Sequence, residues 1–289
     1  MTKPTYHVAN FSGGKDSTAM VLHMIERCDP LDEVVFCDTT MEFPGMIRHV
    51  EKVKRVVESA GIKFTTLRAE HDFKYYLIEH YPERRKETSD FYGMSGYGWP
   101  GVFSRWCTKA LKQKLLADYF QGLKEHYTVL HYIGLAADED YRLERQTNKN
   151  PNHRHPLRDW GWVEADALAY CFEKGYDWEG LYATFDRVSC WCCPLQPLSD
   201  LRNLRAKFPD LWQQLIDLDA RQCKKFKDGR SVADLDARFA LEDALTEAGE
   251  SIKNRPFFAD LKRLLSDEVT IEEILQERTA ETDGGYKTR

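Results

Sequence analysis

The chain has 289 residues, of which 42% are hydrophobic and 30% are charged, so it can bury a full core and differs in composition from a disordered chain. Its formal net charge of −6 argues against nonspecific wrapping of nucleic acid. No run approaches the roughly 18 apolar residues of a membrane span, and the first residues lack the apolar stretch of a signal peptide. We therefore expect a cytoplasmic protein without a membrane partner, whose thiols stay reduced.

Strand-like and helix-like segments alternate in the first half of the chain, which predicts an α/β fold with a doubly wound, mainly parallel sheet. Ligands of such sheets bind beyond the carboxyl ends of the strands. The segments SGGKDS, CDTTMEFP and GLAADEDYR each follow a predicted strand, so we expect them to face one crevice. The predicted strands are 7–11, 33–39, 63–69 and 126–136, and the first helices are 17–27 and 44–60.

The chain changes character after Pro194, where strand patterns stop and helical patterns begin. We therefore divide it into an α/β nucleotide-binding domain, residues 1–195, and a helical C-terminal region, residues 196–289. The segment 89–107 is rich in glycine and aromatic residues and predicts a long functional loop. The predicted C-terminal helices are 198–206, 209–225 and 232–248, followed by two shorter ones.

Residues 12–17 read SGGKDS and lie between a predicted strand and a predicted helix. Gly13 and Gly14 let the backbone turn tightly and point N–H groups inward, and the helix N-terminus adds positive potential. Lys15 can neutralise phosphate charge, and the hydroxyls of Ser12 and Ser17 can donate hydrogen bonds. The spacing does not fit a Walker A loop. The alternative is a plain strand–turn–helix with capping serines.

This loop resembles that of the PP-loop ATP pyrophosphatases, and the chain is similar, within them, to the phosphoadenosine phosphosulfate (PAPS) reductase-like family. The sequence departs from the family pattern at Thr40, Gly45 and Ala136, the last of which stands where arginine is usual. The resemblance covers roughly residues 8–195 and implies an adenine nucleotide alpha hydrolase-like fold. Its further segments are DTTMEFP at 38–44, RWCTK at 105–109, GLAADE at 134–139, PL at 156–157 and CWCCP at 190–194.

The resemblance implies that ATP is bound and cleaved between its α- and β-phosphates, with Mg²⁺ balancing charge on the leaving pyrophosphate. Asp38 and Thr39 are then expected near the nucleoside, and Gly134 completes the nucleotide site. Each of the acidic side chains could instead cap a helix or lie in a solvated loop. The implied catalytic residues are Lys15, Asp16 and Ser17, and the candidate magnesium ligands are Asp16, Asp138 and Glu139.

Four of the eight cysteines stand apart from the rest. Cys190 and Cys193 have the C-x-x-C spacing that lets two thiolates hold one metal or cluster. Cys107 lies in the motif that relatives use to contribute another ligand, and relatives with these cysteines commonly carry a [4Fe–4S] cluster. Cys192 is a candidate fourth ligand or a reactive thiol. A zinc site and reduced cysteines without metal are the alternatives.

Basic residues follow two of the segments that should open onto the crevice. Arg105, Lys109 and Arg142 are candidates to hold a phosphorylated substrate or a nucleic acid backbone. The alternative is a solvated helix face with ion pairs. Aromatic residues of the 89–107 loop either stack on a base or pack the loop down; they are Tyr92, Tyr97, Trp99 and Phe103.

The function that these features favour is ATP-dependent adenylation of a nucleic acid or nucleotide for sulfur transfer. A sulfur-donor protein such as a cysteine desulfurase is a candidate partner. The first alternative is a PAPS or adenylylsulfate reductase, but the chain has no cysteine after Cys223, whereas such reductases carry a C-terminal catalytic cysteine. The second alternative is a nucleotide-sensing module without turnover.

Overall fold

The structure is a computed structural model that describes residues 3–84, 86–144 and 150–284. The chain forms two compact units, residues 1–200 and 201–289, and every candidate site residue belongs to the first. The assignment of a nucleotide-binding domain to residues 1–195 stays a prediction. No helix of the described ranges is long and apolar enough to cross a membrane.

The first unit is built on a five-stranded, fully parallel sheet in the order β3-β2-β1-β4-β5. The predicted α/β fold with a doubly wound, mainly parallel sheet is therefore confirmed. The strand β1 lies at the centre, and the order reverses between β1 and β4, which is where ligands of such sheets bind. The strands are β1 (Thr5–Phe11), β2 (Glu33–Asp38), β3 (Lys63–Arg68), β4 (Thr128–Ile133) and β5 (His153–Arg154).

Two strands differ from the prediction. The strand β4 ends at Ile133 rather than at residue 136, because the Leu135 backbone N–H bonds back to the Ile133 carbonyl at 2.9 Å and turns the chain. The edge strand β5 has only the two residues His153 and Arg154, too few to show an alternating pattern. His153 is consequently a half-buried sheet residue.

Helices flank the sheet and form the second unit. Short π-helical turns occur at Tyr75–Glu79 and at Lys109–Gln113, and a 3₁₀ turn at Trp178–Gly180. The helices are α1 (Lys15–Glu26), α2 (Pro44–Ser59), α3 (Trp106–Thr108), α4 (Lys114–His126), α5 (Asp140–Leu143), α6 (Pro156–Asp159), α7 (Glu164–Glu173), α8 (Leu181–Thr184), α9 (Leu198–Lys207), α10 (Pro209–Asp219), α11 (Val232–Glu247), α12 (Arg255–Leu265) and α13 (Ile271–Gly284).

Both faces of the sheet are buried. On one face Phe120 of α4 packs with Val8, Val35 and Val129. Successive strand residues point to opposite faces, and Ala9, next to Val8, is also fully buried. The polar groups that follow the strands therefore lie beyond the carboxyl ends of the strands, which is also where the candidate motifs lie.

The second unit has its own core, and its helix α10 is shorter than expected. That helix ends at Asp219 rather than near residue 225, because the Asp219 carboxylate accepts the N–H of Val232 at 2.7 Å and turns the chain into α11. One cluster of the core of the second unit consists of Leu241, Leu245, Phe257, Leu261 and Ile274.

The residue after β4 contacts the first turn of α1 at close range. A Cβ added to Gly134 would lie 2.9 Å from the backbone nitrogen of Ser17 and 3.0 Å from the carbonyl carbon of Asp16, closer than real Cβ atoms pack. Only glycine therefore fits here without a shift of the backbone that carries the SGGKDS loop.

We predict that Gly134→Ala lowers the free energy of unfolding by about 1–3 kcal/mol, because the added methyl group overpacks the contact. Gly122→Ala is the matched control, since nothing lies within 4 Å of its Cβ in helix α4; it should raise that free energy by up to about 1 kcal/mol. Urea unfolding measures both. An unchanged midpoint for Gly134→Ala would mean that β4 and α1 do not approach so closely.

Candidate functional site

The SGGKDS loop connects the central strand β1 to helix α1 and is tied together by its two serines. The Ser12 backbone N–H donates to the Ser17 hydroxyl at 3.1 Å, and the Ser17 hydroxyl in turn lies 3.0 Å from the Gly14 carbonyl, to which it donates. Gly13 has a φ of +81°, and a Cβ there would lie 2.7 Å from the Met46 sulfur. Both glycine conformation and close packing thus require this residue type.

The Lys15 ammonium is balanced by two carboxylates of the protein. It lies 2.7 Å from Glu164 Oε2 and 3.2 Å from Asp16 Oδ2. Burial lowers the pKa of Lys15, but the bonds to Glu164 and Asp16 outweigh it, so the pKa is raised and the side chain stays charged. Burial raises the pKa of Asp16, and its Oδ1 is buried without a hydrogen-bond partner.

The other two candidate magnesium ligands bind groups of the protein itself. Asp138 accepts the backbone N–H of Glu164 at 3.2 Å and so caps the start of helix α7. Glu139 is buried, accepts the N–H of Ala136 at 3.3 Å and forms an ion pair with Arg142. Their magnesium role and the substrate role of Arg142 stay predictions.

The end of β2 makes a strained turn that Asp38 stabilises. The Asp38 carboxylate is nearly buried, accepts the Thr40 N–H at 2.7 Å and pairs with Arg68. Thr40 has a φ of +67°, a left-handed conformation that is costly for a β-branched residue. The Thr39 hydroxyl donates to Glu42 at 2.9 Å.

One pocket of about 310 Å³ brings the SGGKDS loop and the clustered cysteines together. It contains Ser12 and Gly14 of the loop and Thr39 of the turn after β2. The sequence motifs that are furthest apart along the chain therefore share a single cavity. Its lining residues are Ser12, Gly14, Thr39, Glu42, Met46, Phe73, Pro100, Arg105, Cys107, Thr108, Lys112, Arg187, Val188, Ser189, Cys190, Cys192 and Cys193.

Cys190 lies beside a partly exposed ion pair in this pocket. Its sulfur is 3.5 Å from the Thr39 hydroxyl and 3.6 Å from Glu42 Oε1, and Lys112 Nζ is 3.9 Å from the same oxygen. Burial lowers the pKa of Lys112, but its anionic surroundings, the Glu42 carboxylate first among them, raise it by more, so the pKa is above its ordinary value. A protonated lysine is thus held next to the thiols.

Burial raises the pKa of Cys107, Cys190 and Cys192, so these thiols are neutral as they stand. Within residues 3–84, 86–144 and 150–284, no three His, Cys, Asp or Glu side chains are arranged as a metal-ion site. The donor atoms nevertheless fit a metal site. The thiols of Cys107, Cys190, Cys192 and Cys193 line one cavity, and thiolates are the ligands of iron–sulfur clusters and of many zinc sites.

Two of the predicted substrate-binding residues, Arg105 and Lys109, differ in their position relative to the pocket. Arg105 is exposed and lines the pocket, whereas Lys109 is exposed but is not among the described residues that line it. Arg187, which the sequence did not single out, is a second exposed cation at the pocket.

The 89–107 loop has a packed base and a projecting tip. Trp99 is buried, and Tyr97 stacks on Trp106 with ring centroids 5.5 Å apart. At the tip, the backbones of Gly101 and Ser104 bond to each other at 3.1 and 3.2 Å. Between them Phe103 is fully exposed, and Tyr92 further back is half-exposed. Two of the four candidate stacking residues, Tyr97 and Trp99, therefore pack the loop instead.

Several residues of the site were not predicted. Glu164, Arg187, Trp178 and Tyr182 come from segments after the last long strand, and the last two contact the SGGKDS loop from outside the pocket. None of them lies in a spaced motif. The one local signal is the pattern VEAD, in which Asp166 accepts the Val163 N–H at 3.0 Å and marks the start of helix α7.

Comparison with known proteins identifies one family and two similar proteins. A family model described as "Phosphoadenosine phosphosulfate reductase domain" matches residues 6–196. The uncharacterized protein MJ0066 of Methanocaldococcus jannaschii is 28% identical over 221 residues, which are 71% of this chain and 39% of that protein. The chain thus spans well under half the length of this curated relative.

Among solved structures, the chain resembles the U34-tRNA thiolase NcsA from Methanococcus maripaludis, which was determined with its [4Fe–4S] cluster. The sequence identity is 17%, the TM-score is 0.36, and the match covers 75% of this chain and 70% of the thiolase chain.

Proposed function

The chain belongs to the phosphoadenosine phosphosulfate reductase domain family, and from this premise we propose that it is a PP-loop enzyme for ATP-dependent sulfur transfer. It binds ATP on residues 12–17, cleaves it between the α- and β-phosphates, and adenylates an acceptor that then receives sulfur. The observation that carries the proposal is the shared pocket. Ser12 and Gly14 of the loop line the same cavity as Cys107, Cys190 and Cys193.

The first step needs positive charge where the pyrophosphate leaves. Lys15 is protonated and pairs with Asp16 and Glu164. When ATP binds, its phosphates take the place of these carboxylates beside the Lys15 ammonium or lie next to them. Backbone N–H groups at the start of helix α1 add positive potential. Mg²⁺, when bound, supplies further charge neutralisation, with Asp16, Asp138 and Glu139 as candidate holders.

In the second step a sulfur nucleophile replaces the activated oxygen. An acceptor oxygen bonds to the α-phosphorus and pyrophosphate leaves; sulfide sulfur then bonds to the acceptor atom, and AMP leaves with the oxygen. Cys107, Cys190 and Cys193, with Cys192 as an alternative ligand, would hold a [4Fe–4S] cluster, which when bound would supply a binding site for sulfide; zinc is the alternative metal. Lys112, held by Glu42 3.9 Å away, supplies a fixed positive charge beside these thiols.

The acceptor that these surroundings suit carries phosphate and planar groups. Arg105 and Arg187 are exposed cations at the pocket, and Phe103 projects from a closed turn next to it. Guanidinium groups bind phosphate and aromatic rings stack on bases. A nucleotide or nucleic acid acceptor follows, with a sulfur-donor protein of the cysteine desulfurase type supplying persulfide sulfur, which a thiol reductant converts to sulfide with two electrons.

The reductase of the family description is the second candidate, because the same pocket would accept a sulfonucleotide. The two candidates differ in their products. The sulfur-transfer enzyme releases pyrophosphate from ATP, whereas a PAPS or adenylylsulfate reductase releases sulfite and leaves ATP intact.

We predict that Lys15→Ala lowers the rate of pyrophosphate release from ATP at least about a hundredfold, because a preorganised charge at the leaving group is lost. The circular dichroism spectrum should not change. Lys114→Ala, which removes an exposed lysine from helix α4, is the control and should keep the wild-type rate. Equal rates in Lys15→Ala and wild type would rule out this loop as the ATP site.

We predict that the double change Cys190→Ala and Cys193→Ala removes bound metal from anaerobically purified protein. Iron, acid-labile sulfide and zinc are quantified on one sample, which also separates a cluster from a zinc site. Cys223→Ala, in the second unit, is the control and should keep the wild-type content. Full iron retention in the double variant would place the ligands elsewhere.

A further inference from the structure

A strained segment lies against the PP-loop. Three consecutive residues, Trp178, Glu179 and Gly180, have left-handed φ angles of 50°, 55° and 79°. This conformation is costly for the two that are not glycine, and it persists only where surrounding contacts over-determine it. Such strain often marks residues whose position matters to a functional site.

The segment and Tyr182, two residues after it, each make one hydrogen bond to the loop backbone. The indole Nε1–H of Trp178 donates to the Gly13 carbonyl at 2.7 Å. The Lys15 backbone N–H donates to the Tyr182 hydroxyl at 2.8 Å. We propose that Trp178 and Tyr182 are positioning residues, which hold the PP-loop in its phosphate-binding conformation before the nucleotide arrives.

The clamp, meaning Trp178 and Tyr182 together, is itself rigidly held. The Trp178 ring is buried, stacks on the His49 ring at 4.3 Å and meets the Tyr182 ring edge-on at 4.7 Å. His49 Nε2 lies within hydrogen-bond distance, 2.9 Å, of the Thr18 hydroxyl in helix α1. Helix α2, helix α1 and the strained segment therefore meet behind the loop.

The clamp acts through the loop rather than on the substrate. Neither Trp178 nor Tyr182 is among the described residues that line the pocket, whereas Gly14 is. A Cβ on Gly14 would lie 3.4 Å from the Tyr182 hydroxyl, so the hydroxyl sits close over the loop backbone. Burial raises the pKa of Tyr182 to about 12, which keeps the hydroxyl neutral and adds no negative charge near a phosphate.

This inference rests on the proposed nucleotide site and makes the loop a preorganised one. A loop fixed in advance binds its ligand without a further loss of conformational freedom. Removal of the hydroxyl alone should therefore weaken nucleotide binding while the ring keeps its packing against Trp178.

The test compares Tyr182→Phe with Tyr170→Phe. Tyr170 also donates a hydrogen bond from its hydroxyl, to Glu26 at 2.7 Å, but it does not touch the loop, so its removal controls for a lost tyrosine hydrogen bond. With a non-hydrolysable ATP analogue in calorimetric titration, Tyr182→Phe should raise Kd about five- to tenfold, which corresponds to one lost hydrogen bond. Tyr170→Phe should leave Kd unchanged.

Hydrogen exchange of the ligand-free protein provides an independent readout. The Lys15 amide should exchange faster in Tyr182→Phe than in wild type or Tyr170→Phe, because its acceptor is gone. Trp178→Phe, which keeps a ring but loses the indole N–H, should also raise Kd.

An unchanged or lower Kd in Tyr182→Phe would overturn the clamp, the lower value because the hydroxyl would then compete with phosphate. A wild-type protein that binds no ATP analogue would instead overturn the proposed function.

Discussion

The connection between β1 and α1 is the constraint on which the site depends. The central strand ends in a buried environment, and the chain must reverse into a helix within residues 12–14 while its polar backbone groups stay bonded. Serine hydroxyls satisfy some of these groups, and Trp178 and Tyr182 satisfy others. Gly134 packs closely against the backbone of Ser17, and Met46 packs closely against Gly13. Because of these contacts, the loop has little freedom to rearrange when a ligand binds.

Charge balance depends on two lysines, Lys15 in the SGGKDS loop and Lys112 in the lining of the pocket. Lys15 is neutralised by Glu164 and Asp16, so protein carboxylates stand where ligand phosphates would otherwise provide the negative charge. Lys112 is near Glu42 beside thiols that burial keeps neutral. An anion that binds near either lysine would therefore replace a carboxylate that already pairs with it. The lysine would have a negatively charged neighbour both with and without the anion, which limits the electrostatic cost of both states.

Local patterns account for what the sequence predicted well. The strand β2 is buried throughout and contains two adjacent valines, and the loop at 12–17 has a motif whose chemistry is contained in six adjacent residues. Glu164, Arg187 and Tyr182 could not be predicted, because only tertiary packing brings them to the loop or pocket.

The SGGKDS loop and the cysteines share one pocket, and alkylation of metal-free protein with and without a nucleotide analogue tests this arrangement most directly. Mass spectrometry would give the iodoacetamide labelling rates of Cys107 and Cys193 with and without a non-hydrolysable ATP analogue, with exposed Cys28 as the internal standard. The shared pocket predicts that the analogue slows labelling of Cys107 and Cys193 but not of Cys28. Equal rates with and without saturating analogue would contradict it.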